Sequence, residues 1–379
     1  MEGHELSHTF LSVPRSLGES AHQILDAAGR LHADILPVEL DKGRIGFPMN
    51  DQGEQNQQLL IHLKEQLGES FELIQCVPTF QFPNDPHQRL AQAVTTWLGD
   101  DASLATLQLP TKWERLGDLV LFPHGSFSDE SWQKVRITDS IDELWRGIAQ
   151  ALKVSSIGLQ APIAKNTLRT PQIEMLRGSS DVEFLDHGIR YGFDASRVMF
   201  SSGNITERRR IAGLEMNEEI VIDAYAGIGY YTFPMLIHAG AKHVHACELN
   251  PSSIEGLKWG INANGLESRV TVHEGDNSTT MPTLRGQADR CHLGLLPSSE
   301  LAWGDALLCL KSSGGWLHIH MNVEEEKIGA WMTKTLTELQ SICDKNKLHF
   351  TVEGGHLERV KWYAPHVRHV VFDVRCKPI

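Results

Sequence analysis

The stretch that most constrains this chain runs from Ile220 to Asn250, IVIDAYAGIGYYTFPMLIHAGAKHVHACELN. An apolar run, Ile220-Val221-Ile222, ends in Asp223, and Ala226-Gly227-Ile228-Gly229 then leads into a helix-compatible segment. A second apolar run, Val244 to Cys247, closes on Glu248. Strand, tight glycine turn, helix start and second strand ending in a carboxylate form one half of a doubly wound nucleotide-binding sheet. Glycine lets the backbone turn sharply and approach a ligand where a Cβ would collide. A carboxylate about 20 positions after the turn suits hydrogen bonding to a ribose diol.

The pattern departs from the dinucleotide fingerprint, because Thr232 stands at the third glycine position, and no GxxxxGK[ST] loop is present. Without a phosphate cradle, the expected ligand is a nucleoside lacking pyrophosphate, of which S-adenosylmethionine is the common case. Asp223, Glu248 and Gly275-Asp276-Asn277 all follow expected strands, where a parallel sheet binds its ligands. Gly227 supplies the turn, and Asp223 is expected to orient the ligand or the local structure.

From 198 onward the text alternates strand and helix: a helix from Pro251 to Asn264, strands at 269–273, 289–296 and 315–322, a helix at 325–342, and strands at 348–353 and 367–374. This implies an α/β fold, a mostly parallel Rossmann-like sheet with helices on both faces. Upstream, Leu119 to Phe122, a helix at 139–152, and short strands at 182–185 and 189–193 joined by Asp186-His187-Gly188 read as a smaller α+β module. The expected organisation is therefore 1–90 of unassigned role, 91–197 as the α+β module and 198–379 as the ligand-binding domain. Within the first region, 20–32 and 55–67 have helical spacing, 88–98 reads as a further helix, and the proline-punctuated 76–86 reads as an extended connector.

The six cysteines are scattered without a CxxC pair, and several lie in apolar runs, as reduced core residues of a cytoplasmic protein would. No run of about 20 uncharged apolar residues is present, so no membrane helix is expected. A formal net charge of −13 argues against a generic nucleic-acid binder. A local basic window remains between Lys165 and Arg210, where Lys165, Arg169, Arg177, Arg190, Arg197, Arg208, Arg209 and Arg210 outnumber the acids.

FSSGNITERRR, just ahead of the first strand, offers Ser201 and Arg208 to a ligand carboxylate; the alternative is a hydroxyl cap with a solvated basic turn. His318 and His320 fall on one strand face, as do His243 and His245, but no third ligand follows at ordinary spacing, so structural histidines are expected and no metal. After the fourth strand, many amino-methyltransferases carry an amide–Pro–Pro–aromatic loop. Here Leu295-Leu296-Pro297-Ser298-Ser299-Glu300 lacks both amide and aromatic.

Taken together, FSSGNITERRR, VIDAYAGIGYYTFPMLIHAGAKHVHACELNP, EGDN, GLLPSSE, GGWLHIHMNV and YAPHVRHVVFDV resemble the tRNA wybutosine-synthesizing aminocarboxypropyltransferases of the eukaryotic type, within the class I methyltransferase superfamily. The resemblance covers about 180–376. It implies transfer of the 3-amino-3-carboxypropyl group of S-adenosylmethionine to C7 of 4-demethylwyosine at position 37 of phenylalanine tRNA. It also implies that Ser201, Arg208, Glu248, Asp276 and Asn277 contact the cofactor, Glu248 at the ribose and Asp276-Asn277 at the adenine. Arg208 stands where the family commonly has lysine. The expected partner is the tRNA anticodon loop, met by the upstream module and the 165–210 window, and the expected state is a monomer. A tRNA guanine-37 methyltransferase on the same fold is the alternative, and a cofactor-binding module without turnover is a third reading.

Overall fold

Seven strands order the larger part of the molecule: β1 (Ile220–Asp223), β2 (His243–Glu248), β3 (Val270–Glu274), β4 (Arg290–Leu293), β5 (Gly315–Glu324), β6 (Phe350–Ala364) and β7 (Val367–Pro378). Their order across the sheet is β3-β2-β1-β4-β5-β7-β6. The first five are parallel; β7 lies antiparallel between β5 and β6. The computed structural model describes residues 8–32, 35–50, 57–78, 85–99, 107–161, 172–200 and 202–379. Ser201 and two of the eight basic residues of the window, Lys165 and Arg169, lie outside the described residues.

Short β-branched runs make the central strands, with Val221, Ile222, Val244 and Leu293 fully buried as a doubly covered sheet requires. Asn250 caps the helix Pro251–Ala263 by accepting from Ser252 N at 3.0 Å, with Pro251 in the first turn where its missing N–H costs nothing. One face of β4, β5 and β7 is apolar: Cys291, Leu293, Leu317, Ile319, Val370 and Phe372 belong to one core with Trp303, Leu307, Leu339 and Cys343 of the helices Trp303–Cys309 and Ile328–Lys345. The opposite face is polar. A single rung across β1, β4, β5 and β7 carries Asp223, His292, His318 and Asp373.

β6 is much longer than the expected 348–353. Its sequence, FTVEGGHLERVKWYA, is the edge strand's mixture of charge and glycine, so the alternation that marks a half-buried strand is broken. Its pairing with β7 also shifts register between Gly354 and Leu357, Arg359 and Lys361, and Trp362 and Ala364.

The chain divides into two units, 1–99 and 100–379. The boundary falls beyond the expected 90 because the helix Pro86–Leu98 runs through that position. The first unit contains a four-stranded sheet (38–40, 44–48, 8–14, 72–76) and a core of Leu11, Val13, Leu25, Phe47, Leu59 and Leu63, where the sequence announced helices and an extended connector over 76–86, of which 79–84 lie outside the described residues. In the second unit, the sheet 114–116, 119–122, 156–161 and 172–177 carries an aromatic cluster of Phe122, Phe127, Trp132 and Trp145. The hairpin Asp181–Asp186/Ile189–Asp194 follows, turning at His187 and Gly188, both with positive φ as a two-residue hairpin loop demands.

Candidate cofactor site

Gly227 and Gly229 adopt φ of 57° and 95°, and a Cβ at either would lie within 2.6 Å of the Tyr230 or Phe233 ring. Only glycine fits this turn. Glu248 at the end of β2 reaches across to it: Oε2 accepts from Gly227 N at 2.7 Å, and Oε1 accepts from Leu249 N at 3.0 Å and Asn250 N at 2.8 Å. Burial pushes the Glu248 carboxyl up, against the pull of these three backbone donors. From the other side Asn277 Nδ2 donates to Ala224 O at 3.1 Å. Asp276 caps the turn Asn277–Thr280 through Ser278 N at 2.8 Å and remains exposed. Two expected site residues, Glu248 and Asn277, therefore converge on the loop after β1, with Asp276 beside Asn277.

Asp223 and Arg208 face elsewhere. Asp223 is fully buried, accepting from Thr232 Oγ1 at 2.8 Å, with its other oxygen 3.7 Å from His292 Nδ1. It pins the start of the helix Thr232–Ile237. Arg208, on the buried face of the helix Ile205–Ala212, donates through Nη2 to Asp186 Oδ2 at 2.8 Å and lies 4.9 Å over Phe200.

Sequence reasoning missed a buried polar system on that side of the sheet. Arg210 bridges Glu207 and Asp373, with Nη1 2.7 Å from Asp373 Oδ2. Asp373 Oδ1 meets His318 Nδ1 at 2.6 Å, His318 Nε2 meets Arg290 Nη1 at 2.8 Å, and Arg290 pairs with Glu219 at 2.7 Å. Alongside runs a histidine chain, His292 Nε2 to His320 Nε2 at 3.1 Å and His320 Nδ1 to His369 Nε2 at 3.0 Å, with the Tyr231 ring tilted 35° to that of His292 at a centroid distance of 4.1 Å. Burial holds His318 and His369 down to about 4, the Asp373 carboxylate working against it at His318 and the Lys361 charge adding to it at His369. Among the described residues no set of three or more His, Cys, Asp or Glu could hold a metal ion. The His318-x-His320 spacing was the available signal; its partners Asp373 and His369 come from the far end of the chain.

The donor set fits an adenosine ligand: a carboxylate for the ribose diol, an acid and an amide for the base, and backbone at a glycine turn. Asn322 on β5 adds a buried amide with no hydrogen-bond partner for either atom, beside the loop after β4, where its own N–H donates to Pro297 O at 3.0 Å.

Residues 183–351 match the TRM5/TYW2 methyltransferase domain, and 98–181 match the TYW2 N-terminal domain. The chain is 40% identical over 306 residues to the tRNA wybutosine-synthesizing protein 2 homolog of Danio rerio, covering 72% of each. The chain belongs to the tRNA wybutosine-synthesizing protein 2 family. A longer relative, the tRNA wybutosine-synthesizing protein 2/3/4 of Arabidopsis thaliana, is 40% identical over 77% of this chain, which spans 29% of that protein. The Pyrococcus horikoshii TYW2 structure, in complex with MeSAdo, is 26% identical, superposes with a TM-score of 0.60, and is matched over 76% of this chain and 98% of that one. The family's sheet is the class I, S-adenosylmethionine-dependent fold expected from the strand–turn–helix pattern.

Proposed function

We propose that this chain transfers the 3-amino-3-carboxypropyl group of S-adenosylmethionine to C7 of 4-demethylwyosine at position 37 of phenylalanine tRNA. The observation that carries this reading is the family membership, joined to a site in which Glu248, Asn277 and the Gly227 turn meet at the carboxyl ends of β1 to β3. MeSAdo in the P. horikoshii relative corresponds to what remains of the donor once that group has left.

The sulfonium of the bound donor activates each of its three carbons toward in-line displacement. Product choice then rests on which carbon the protein presents, a matter of positioning. Glu248 would hold the ribose and Asp276 with Asn277 the adenine, fixing the nucleoside end and leaving the amino-acid arm to the groups of the adjoining strands β4 and β5. There the loop Leu295 to Glu300 lacks the amide and aromatic of amino-methyltransferases, and Asn322 brings a donor and an acceptor to the same edge for the base. The base reaches this edge by leaving its stack in the anticodon loop. The module 91–197 and the basic window 165–210 form the tRNA face of a cytoplasmic monomer. Ser201, which lies outside the described residues, is assigned to the amino-acid arm on the family resemblance.

Mass spectrometry of the products formed from protein, S-adenosylmethionine and precursor tRNA tests the reading. Methylthioadenosine with an aminocarboxypropyl increment at nucleotide 37 is expected. S-adenosylhomocysteine with a methyl increment would overturn it in favour of a methyltransferase.

A further inference from the structure

One cation at the carboxyl edge, Lys361, has no acid to meet it among the described residues. Lys361 lies on β6 between two breaks in its register with β7, where bulges re-aim side chains. It pairs with His369, which pairs in turn with Asn322, so the three share one rung and one face of the sheet. His369 is buried and, held near 4, carries no charge at neutral pH. Among the described residues no carboxylate forms an ion pair with Lys361, in a chain whose formal net charge is −13. Burial and the neighbouring Arg208 charge both push the Lys361 ammonium down, as expected for a half-buried cation without a counter-ion.

Its surroundings connect it to the glycine turn. Nζ stands 2.7 Å from where a Cβ on Gly203 would lie, in the segment that directly follows Ser201. Arg208 lies over Phe200, whose ring is 5.7 Å from Tyr230, and Tyr230 packs against Gly227. Arg208 is the cation that the sequence offers for the arm, but its guanidinium is matched by Asp186. Lys361 has no such match.

We propose that Lys361 binds the carboxylate of the amino-acid arm of S-adenosylmethionine, taking the role that the sequence pattern gives to Arg208. The assignment rests on the aminocarboxypropyl-donor reading above. A compact ammonium with three donors suits a carboxylate held at a half-buried position. The exposed Trp362 and Tyr363 stand next along the strand, at the rim.

Calorimetry on the full chain tests this with three ligands: S-adenosylmethionine, its decarboxylated form, and methylthioadenosine, which has no arm. Wild type is expected to prefer S-adenosylmethionine over the decarboxylated form by roughly 10- to 100-fold, the range for a hydrogen bond to a charged group. Lys361→Gln is expected to abolish most of that preference while methylthioadenosine affinity stays at the wild-type level, which also reports that the variant is folded. Undiminished preference in the variant overturns the assignment. So does a loss of tRNA affinity with the preference intact, which would give Lys361 to a phosphate. Release of S-adenosylhomocysteine by wild type would sink the transfer reaction but leave the carboxylate readout standing.

Discussion

Two polar regions flank the β1–β4 part of the sheet, and their hydrogen bonds run to different partners. At the carboxyl edge the bonds run to backbone groups, from Glu248 and Asn277 to the loop after β1 and from Asp276 to its own turn. Under the helix Ile205–Ala212, Glu207, Arg210, Asp373, His318, Arg290 and Glu219 bond to each other's side chains. A carboxylate held only by backbone N–H groups retains lone pairs for a ligand. A closed network of buried charges has none to spare, and removing one member strands the others. The contrast teaches that the most polar part of this domain is a fastening, while the proposed ligand site is the more sparsely bonded part.

The strongest way to break that contrast is Asp373→Ala. It leaves Arg210 and His318 without their shared acceptor in a buried setting, and is expected to cost roughly 3–5 kcal/mol. Chemical denaturation of the 100–379 unit reads this as a lower midpoint, and an unchanged midpoint would deny the network its structural role.

The same network makes a pH prediction. His318 and His369 titrate near 4 in the folded protein against an ordinary 6.5. Between those values the unfolded chain binds protons that the folded one refuses, so stability falls as pH drops from about 6.5 to 4. The Asp373 carboxyl is depressed too, because His318 and Arg210 together outweigh the opposing effect of burial. Its contribution is present above the ordinary aspartate value and is lost at still lower pH. Unfolding midpoints that stay flat from pH 7 to 4.5 would contradict the assignment.

How far the sequence carried each region follows from how local its determinants are. The glycine turn, the helix that starts at Pro251 and the His187-Gly188 hairpin are written in adjacent residues, and all lie where the text placed them. The network joins Arg210 to Asp373 across 163 positions, and no short window contains both halves. Strand His8–Pro14 was missed for another reason: HTFLSVP has a buried apolar centre too short to distinguish strand from helix or loop by periodicity. β6 hid its length behind edge-strand charge. Lys361 carried no motif at all, and only its register and its neighbours single it out.

Glu248→Gln sharpens the comparison from the ligand side. Affinities for S-adenosylmethionine and methylthioadenosine are expected to fall together, by about 1.5–3 kcal/mol, because both carry the ribose. The unfolding midpoint should move less than in Asp373→Ala, since the single Gln carbonyl keeps one of the two acceptor positions, for Gly227 N or for Leu249 N and Asn250 N, and only the other is lost. Calorimetry paired with denaturation separates the two effects. Loss of S-adenosylmethionine binding alone would move Glu248 from the ribose to the arm.

The smallest effect belongs to Asp276, whose side chain both caps a one-turn helix and faces the solvent-exposed edge. Asp276→Ala removes the acceptor from Ser278 N and should cost about 1 kcal/mol of local stability, the usual worth of an N-cap. Asp276→Asn keeps an acceptor in the same place and so retains the cap. If Asp276 also holds the adenine through its charge, the Asn variant should bind adenosine ligands more weakly while melting like wild type. If its role is only to hold Asn277 in place, the Asn variant should match wild type in both, and Asp276→Ala should lose affinity and stability together. Either pattern, read by calorimetry beside thermal melts, decides whether this acid touches the ligand or supports the amide that does.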